Sequence, residues 1–340
     1  MSEVSIIGID LSKNSYQMHG SYEDGSVAFR RKLGRGKVLS FLSSQPTCIV
    51  AMEACGSAHY WGREIGRLGH EVRLVPPRYV KAYVKRHKND AKDAEAICEA
   101  ASRPTMHFVA VKSEESQAGM MQFGVRDLLV RQRTQVINAL RGHLAEFGVV
   151  APKGPVHVRR LALAIADPQT RLPAKVRELG GLLLEQIAGL DRKIAEQEKE
   201  LRAAAREDEE AVRAMTVPGV GPVTAMALQA MAPPLASFRR GRDFSAWLGL
   251  VPRQHTTGGK PRLGKVSKMG HRDLRRLLVV GAMSVIQNSV RHGVVPDPWL
   301  AGMLACKPRK LVAVALANRM ARILWALATR KETYRAPATA

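Results

Sequence analysis

The feature that most constrains this chain lies at its start, in residues 4–14, VSIIGIDLSKN. An apolar run of about five residues bounded by turn formers reads as a buried strand. The strand ends by presenting one carboxylate, Asp10, and Ser12, Lys13 and Asn14 turn the chain behind it. Two other places set carboxylates in similar surroundings. Glu53 follows the apolar run Cys48-Ile49-Val50-Ala51-Met52, and Asp90 and Asp93 sit within Lys88-Asn89-Asp90-Ala91-Lys92-Asp93-Ala94. At i and i+3 on the start of a helix, those two face the same way. Taken singly, each acid reads as a helix cap or a salt-bridge partner, and Asp90 as the N-cap of its own helix. Taken together, the four are candidate ligands of divalent metal in a nuclease-like site. Glu95 and Glu99, one turn on, are the decoys.

The elements around these acids follow in a regular order. Strands are expected near 4–9, 16–22 and 26–32, then a helix near 36–44 and a strand at 48–52. A helix over about 58–68 ends at Gly69, a strand runs to Val75, and Pro76-Pro77 stops it. Helices follow there and from Asp90 to about 102. This β-β-β-α-β-α-β-α order is a mixed α/β layer fold with its acids at strand ends and on a following helix.

The next part of the chain is helical. Residues 114–147 form one long pattern carrying Arg126, Arg131, Arg133 and Arg141, broken by Pro152, Gly154 and Pro155. A second runs over 174–205, where Val176, Gly180, Leu183, Ile187, Leu190, Ile194, Gln197 and Leu201 recur at alternating steps of three and four. That is heptad spacing. It fits a helix packed inside its own domain, or a coiled coil that mediates self-association.

The third part begins near Val212. Pro218-Gly219-Val220-Gly221 makes a glycine turn between two helices, similar to the hairpin of helix-hairpin-helix motifs, whose backbone N–H groups meet DNA phosphates. Trp247-Leu248-Gly249-Leu250-Val251-Pro252 then leads into a loop, Arg253-Gln254-His255-Thr256-Thr257-Gly258-Gly259-Lys260. Helices return over about 271–290 and 310–329. Basic residues crowd this loop: Arg253, Lys260, Arg262, Lys265, Lys268, Arg272, Arg275 and Arg276. A charge run is ordinarily a solvated face. This one brackets a Gly-flanked, hydroxyl-bearing segment, which favours phosphate contact. Thr256 and Thr257 could attack phosphorus where cations stabilise the charge that develops on its oxygens. Equally, they could bond their own backbone in an ordinary turn.

Composition decides the partner class. The chain carries 53 Lys and Arg against 30 Asp and Glu, a formal net charge of +23 over 340 residues. A field of that size captures polyanions, so nucleic acid leads over membrane-surface or ribosomal roles. Hydrophobic content of 46% is ordinary for a globular chain and argues against global disorder. The four cysteines are scattered without a C-x-x-C pair, so no zinc site is readable. No signal pattern and no apolar run of about 18 residues is apparent, so a cytoplasmic protein without a membrane partner is expected.

The motifs Ile7-Gly8-Ile9-Asp10, Met52-Glu53-Ala54-Cys55-Gly56, Asn89-Asp90-Ala91-Lys92-Asp93-Ala94, Pro218-Gly219-Val220-Gly221 and Trp247-Leu248-Gly249-Leu250-Val251-Pro252 appear in that order. His255-Thr256-Thr257-Gly258-Gly259-Lys260 and Val266-Ser267-Lys268-Met269-Gly270 complete the set. This series resembles the DEDD transposases of the bridge-RNA-guided insertion-sequence recombinases, related to the Piv DNA invertases. The resemblance covers nearly the whole chain. It implies a RuvC-like (RNase H-like) domain over 1–150 whose Asp10, Glu53, Asp90 and Asp93 bind Mg²⁺. It further implies a coiled-coil helical segment over 155–210 and a mostly helical transposase domain over 211–340 that carries a nucleophilic hydroxyl. The implied activity is cleavage and rejoining of donor and target DNA through a covalent hydroxyl–phosphate intermediate, directed by a structured bridge RNA that pairs with both DNAs. A homo-oligomer is implied, dimeric and then tetrameric at synapsis, acting in the bacterial cytoplasm at the nucleoid. The family usually places serine where this chain has Thr256 and Thr257; Thr256 ranks first and Thr257 second. Gly219, Gly221 and the eight basic residues from Arg253 to Arg276 named above are the expected nucleic-acid contacts. The alternatives are a RuvC-like endonuclease that resolves junctions by hydrolysis, and a non-catalytic basic scaffold.

Overall fold

The apolar run becomes the central strand of a five-stranded mixed sheet. Strands β1 (Ile6–Asp10), β2 (Ser15–Ser21) and β3 (Val27–Gly34) form an antiparallel meander. After helix α1 (Val38–Ser43), strand β4 (Ile49–Glu53) returns parallel to β1. Helix α2 (Ala58–Arg67) leads to β5 (Glu71–Val75), parallel to β4, and short α3 (Pro77–Val80) and then α4 (Asp90–Ala101) follow. The strand order is β3-β2-β1-β4-β5. This is a computed structural model, and it describes residues 3–84, 90–293 and 297–335.

Period-two alternation sorts the strand residues onto two faces. Ile7, Ile9, Tyr16, Met18, Val50, Met52 and Leu74 pack with Val38 and Leu42 of α1 and Ala58, Trp61 and Ile65 of α2. Ile6, Ala51 and Val75 face the other way, against Ala96, Ile97 and Cys98 of α4. A fully buried Ile or Leu contributes roughly 1.5–3 kcal/mol. A one-residue slip of β1 would forfeit several such burials together, so the register is fixed. Gly8 lies under α4, where a Cβ would strike the Ala94 carbonyl and lie 2.8 Å from the Cys98 nitrogen. Only glycine lets the helix close over the strand.

Contacts divide the chain into two compact units, Met1–Glu114 and Glu115–Ala340. The second contains α5 (Glu114–Ala145, from its second residue), α6 (Val158–Ala166), α7 (Ala174–Glu207), α8 (Glu209–Met215), α9 (Pro222–Met231) and α10 (Gly241–Trp247). An antiparallel pair, β6 (Pro252–Thr257) and β7 (Lys260–Val266), precedes α11 (Arg272–His292), α12 (Pro298–Cys306) and α13 (Arg309–Arg330). Its core gathers Leu228, Phe244, Leu248, Leu274, Leu278, Ile286, Val312, Leu316, Met320 and Leu324. By length and composition, α13 is the one described helix apolar enough to cross a membrane. Reading for an unbroken apolar run misses it, because Arg319 and Arg322 interrupt the sequence. Here it is a core helix with eight buried residues, from Val312 to Leu327.

The heptad pattern on α7 is used within the chain. Gly180, Ile187, Ile194 and Leu201, one residue per heptad, are its buried column. Arg133 donates to Asp191 at 2.6 Å and Gln122 to Glu200 at 3.2 Å, and Arg126 pairs with Glu198, so α5 and α7 run antiparallel. Gly180, the one glycine in the heptad series, is where α6 approaches: a Cβ there would lie 2.8 Å from Ile165 Cδ1.

Candidate active site

The sheet brings Asp10 and Glu53 together. Ile9 pairs with Met52 across the parallel β1–β4 ladder, so the next residues along, Asp10 and Glu53, end adjacent strands at one level. By alternation both belong to the face of Gly8 and Ala51, the face that α4 covers. Both are half-buried. Burial first, then the charges of Glu53 and Asp10, push the Cys55 thiol up from its ordinary pKa. One thiol thus feels both carboxylates. Closure of α4 over Gly8 brings the half-buried Asp93, one residue before Ala94, to the same side. The side chain of Asp90 lies outside the described residues. Among the described residues, no three carboxylate, imidazole or thiol groups are arranged to hold a metal ion. The donor set itself is of hard oxygens, which suits a hard divalent cation.

The hydroxyl segment departs from expectation. The sequence reads Arg253 to Lys260 as a loop; the structure makes it a two-stranded ribbon, β6–β7, joined by Gly258-Gly259 at φ +58° and +74°. Two successive positive φ values are the requirement of a tight hairpin turn, which a Gly-Gly pair meets without steric cost. Nearly every ribbon residue is exposed.

Pairing then sorts the ribbon's side chains. His255 is opposite Arg262 and Thr257 opposite Lys260, while Gln254 is opposite Leu263 and Thr256 opposite Pro261. Directly paired residues share a face. One face therefore carries His255, Thr257, Lys260 and Arg262. Arg253 joins it by alternation, and Lys265 by the register shift between Pro252 and Gln254, which leaves two β7 residues opposite Arg253. The other face carries Gln254, Thr256, Pro261 and Leu263 and has no cation. On it the Gln254 amide nitrogen donates to the Thr256 hydroxyl at 3.0 Å.

The root of the ribbon is built into the core by residues that motif reading did not single out for this purpose. The Ser267 N–H donates to the Val251 carbonyl at 2.8 Å and the Lys268 N–H to the Gly249 carbonyl at 3.2 Å. Asn318 of α13 donates to the Leu250 carbonyl at 3.2 Å. Gly249 (φ +71°) and Gly270 (φ +152°) interlock, and a Cβ on Gly270 would strike the Trp247 carbonyl. Trp247 stacks on His271 at 5.5 Å, and His271 Nδ1 caps α11 by accepting from the Leu274 N–H. The paired glycines in the Trp247–Pro252 and Val266–Gly270 motifs were the available signal.

Three of the expected nucleic-acid contacts have work inside the protein. Arg275 donates to the Leu248 carbonyl at 2.8 Å, and Arg276 pairs with Asp127 and Asp273. Gly219 (φ +87°) lies against Gly281 of α11, so its turn serves a close helix contact. Gly221, Arg253, Lys260, Arg262, Lys265, Lys268 and Arg272 are exposed.

Comparison with known proteins finds matches along nearly the whole chain. A model of the DEDD transposase domain of the IS110 type matches residues 7–148, and a model described as transposase IS116/IS110/IS902 family matches residues 211–293. The chain is 48% identical to a probable family 20 transposase of Pseudomonas aeruginosa, over 98% of this chain and 99% of that one. It is 41% identical to the transposase for insertion sequence element IS1328 of Yersinia enterocolitica, over 97% and 98%. To the transposase for IS1111A of Coxiella burnetii it is 38% identical, over 98% and 92%.

Proposed function

The chain belongs to the IS116/IS110/IS902 family of transposases, enzymes that cleave and transfer DNA and whose DEDD domain implies use of a divalent metal; on that premise we propose that it is an RNA-guided DNA recombinase acting through a covalent threonine–phosphate intermediate. Asp10, Glu53, Asp90 and Asp93 would hold Mg²⁺. Bound there, the ion supplies a Lewis acid for charge on phosphate oxygens. The observation that carries the reading is the position of Asp10 and Glu53, one residue beyond the Ile9–Met52 pair, at adjacent strand ends on the face beneath α4.

For the nucleophile we rank Thr257 ahead of Thr256, reversing the order read from sequence. Thr257 shares its face with His255, Lys260, Arg262, Arg253 and Lys265, whereas Thr256 lies on the uncharged face and accepts from Gln254. Cations beside the hydroxyl stabilise the phosphorane charge at the moment it forms. In the step itself, the Thr257 oxygen forms a bond to phosphorus and a bridging P–O bond of the strand breaks. The hydroxyl proton passes through solvent to the departing sugar oxygen. The phosphodiester energy stays in the new ester, so a sugar hydroxyl of another strand can reverse the reaction and rejoin DNA.

Donor and target duplexes and a structured bridge RNA are the proposed partners. We further propose an assembly of dimers that becomes tetrameric at synapsis, in the bacterial cytoplasm at the nucleoid. The three-part division into 1–150, 155–210 and 211–340 belongs to the same reading. The test is a denaturing gel after incubation with donor DNA, Mg²⁺ and the transcript of the element's non-coding region. A protein–DNA adduct is expected. Free nicked DNA with no adduct would instead favour hydrolysis, and intact DNA a non-catalytic scaffold.

A further inference from the structure

We infer that Lys32 contacts the DNA phosphate flanking the one that reacts at the acid site. The inference rests on the reading of Asp10 and Glu53 as that site. Its basis is register. Lys32 is directly opposite Gln17, Gln17 is directly opposite Asp10, and Glu53 follows Met52, the partner of Ile9. Residues paired in this way share a face of the sheet. One row, Lys32–Gln17–Asp10–Glu53, therefore crosses four strands on the side that α4 covers.

Independent contacts fix which side that is. Gly8, two residues before Asp10, lies under the backbone of α4. Arg30, two residues before Lys32, reaches Glu95 of α4 at 3.4 Å. The row is also ordered by charge: two acids, one neutral amide, then one cation. With neighbouring strands about 4.8 Å apart, the Lys32 backbone is about 10 Å from that of Asp10. Gln17 between them separates the ammonium from the carboxylates, so Lys32 is not drawn into an ion pair that would compete for the acids. A polyanionic strand crossing two carboxylates needs a counter-charge beside them, and Lys32 is where the row provides one.

Alternation also explains why Lys32 is the one selected from the run Arg30-Arg31-Lys32. Arg30 is committed to Glu95. Arg31 points to the opposite face, over the rings of Phe29 and Phe41 at 5.8 and 5.1 Å. Lys32 is exposed and has no ion pair among the described residues. Charge counting along β3 cannot separate the three; their partners do.

The experiment uses the full chain with the transcript of the element's non-coding region, Mg²⁺ and a fluorescein-labelled duplex carrying the element's end. KM, kcat and the salt dependence of binding are measured for wild type, Lys32→Gln, Lys32→Arg, Arg31→Gln and Asp10→Asn. Removing one phosphate contact should raise KM by roughly three- to tenfold and reduce the salt slope by about 1, with kcat held within about twofold. Lys32→Arg should restore KM, and Arg31→Gln should keep the wild-type value. If Lys32→Gln keeps wild-type KM and slope while Asp10→Asn abolishes cleavage, the Lys32 inference is overturned alone. Equal losses in Lys32→Gln and Arg31→Gln would also overturn it, since net charge would then explain both. If Asp10→Asn cleaves normally, the acid site itself has been misread.

Discussion

The acid row and the hydroxyl ribbon present their candidate reactive groups in opposite ways. Asp10 and Glu53 stand at the ends of strands packed on both faces, half-buried beneath a helix that only a glycine admits. Thr256 and Thr257 stand near the tip of a two-stranded ribbon exposed along nearly its whole length, packed into the core where Asn318, Gly249 and Gly270 hold its root. On the proposed reading the two carboxylates share an ion; like charges repel, so a packed scaffold must hold them together. A hydroxyl that attacks a bulky duplex needs access first. The two proposed duties thus meet two degrees of burial, and the difference lies in packing rather than in residue type.

The largest expected effect breaks the acid half. Asp10→Asn should lower strand cleavage by about three orders of magnitude, because several kcal/mol of transition-state stabilisation come from the metal it would hold. Its melting temperature should stay near that of wild type, so cleavage assayed beside a thermal melt separates chemistry from folding. Next comes the ribbon. Thr257→Ala should remove the covalent adduct on a denaturing gel, while Thr256→Ala should reduce it less than about tenfold. The reverse order would return the nucleophile to the uncharged face.

Glycine substitutions sharpen the contrast in packing. Gly8→Ala should destabilise the first unit by about 3 kcal/mol, since the new methyl strikes the backbone of α4. Gly258→Ala, at φ +58° in open space, should cost about 1 kcal/mol from backbone strain alone. Urea unfolding of each variant measures both. Similar costs would mean that the ribbon is as tightly packed as the sheet.

The smallest effect is one of pH. Burial, then the charges of Lys112 and Arg63, hold the His59 pKa below its ordinary 6.5, and its Nδ1 accepts from the Lys112 backbone N–H at 3.2 Å. The unfolded chain therefore binds the extra proton more readily than the folded one. Stability from His59 is complete above about pH 6.5 and is lost as pH falls through the lowered folded value. His59→Gln should flatten the melting temperature against pH in that acidic window. An unchanged slope would remove His59 as its source.

Much of the first unit was legible because its signals are local. Apolar runs ended by turn formers located β1 and β4, and with them Asp10 and Glu53, since burial on both faces leaves little freedom in where such strands end. The ribbon was not legible as a ribbon. Arg253 to Thr257 lacks an apolar run or an apolar alternation, because neither face is buried, and Gly258-Gly259 suits a loop as well as a hairpin turn. The α7 heptads were legible as a helix, but their partner was not, since α5 and an intermolecular partner satisfy the same spacing.

The amino-acid order by itself determined the strands of the first sheet, the long helices and the sign of the charge, and marked the four candidate acids, because backbone preference and hydrophobic period act over a few residues. Tertiary structure decided what stands beside what. It set Gln17 and Lys32 in the row of Asp10, turned Thr257 toward the cations and Thr256 away from them, and committed Arg30, Arg275 and Arg276 to partners inside the chain. These are consequences of register and packing between segments distant in sequence, where a shift of one residue exchanges the two faces of a strand.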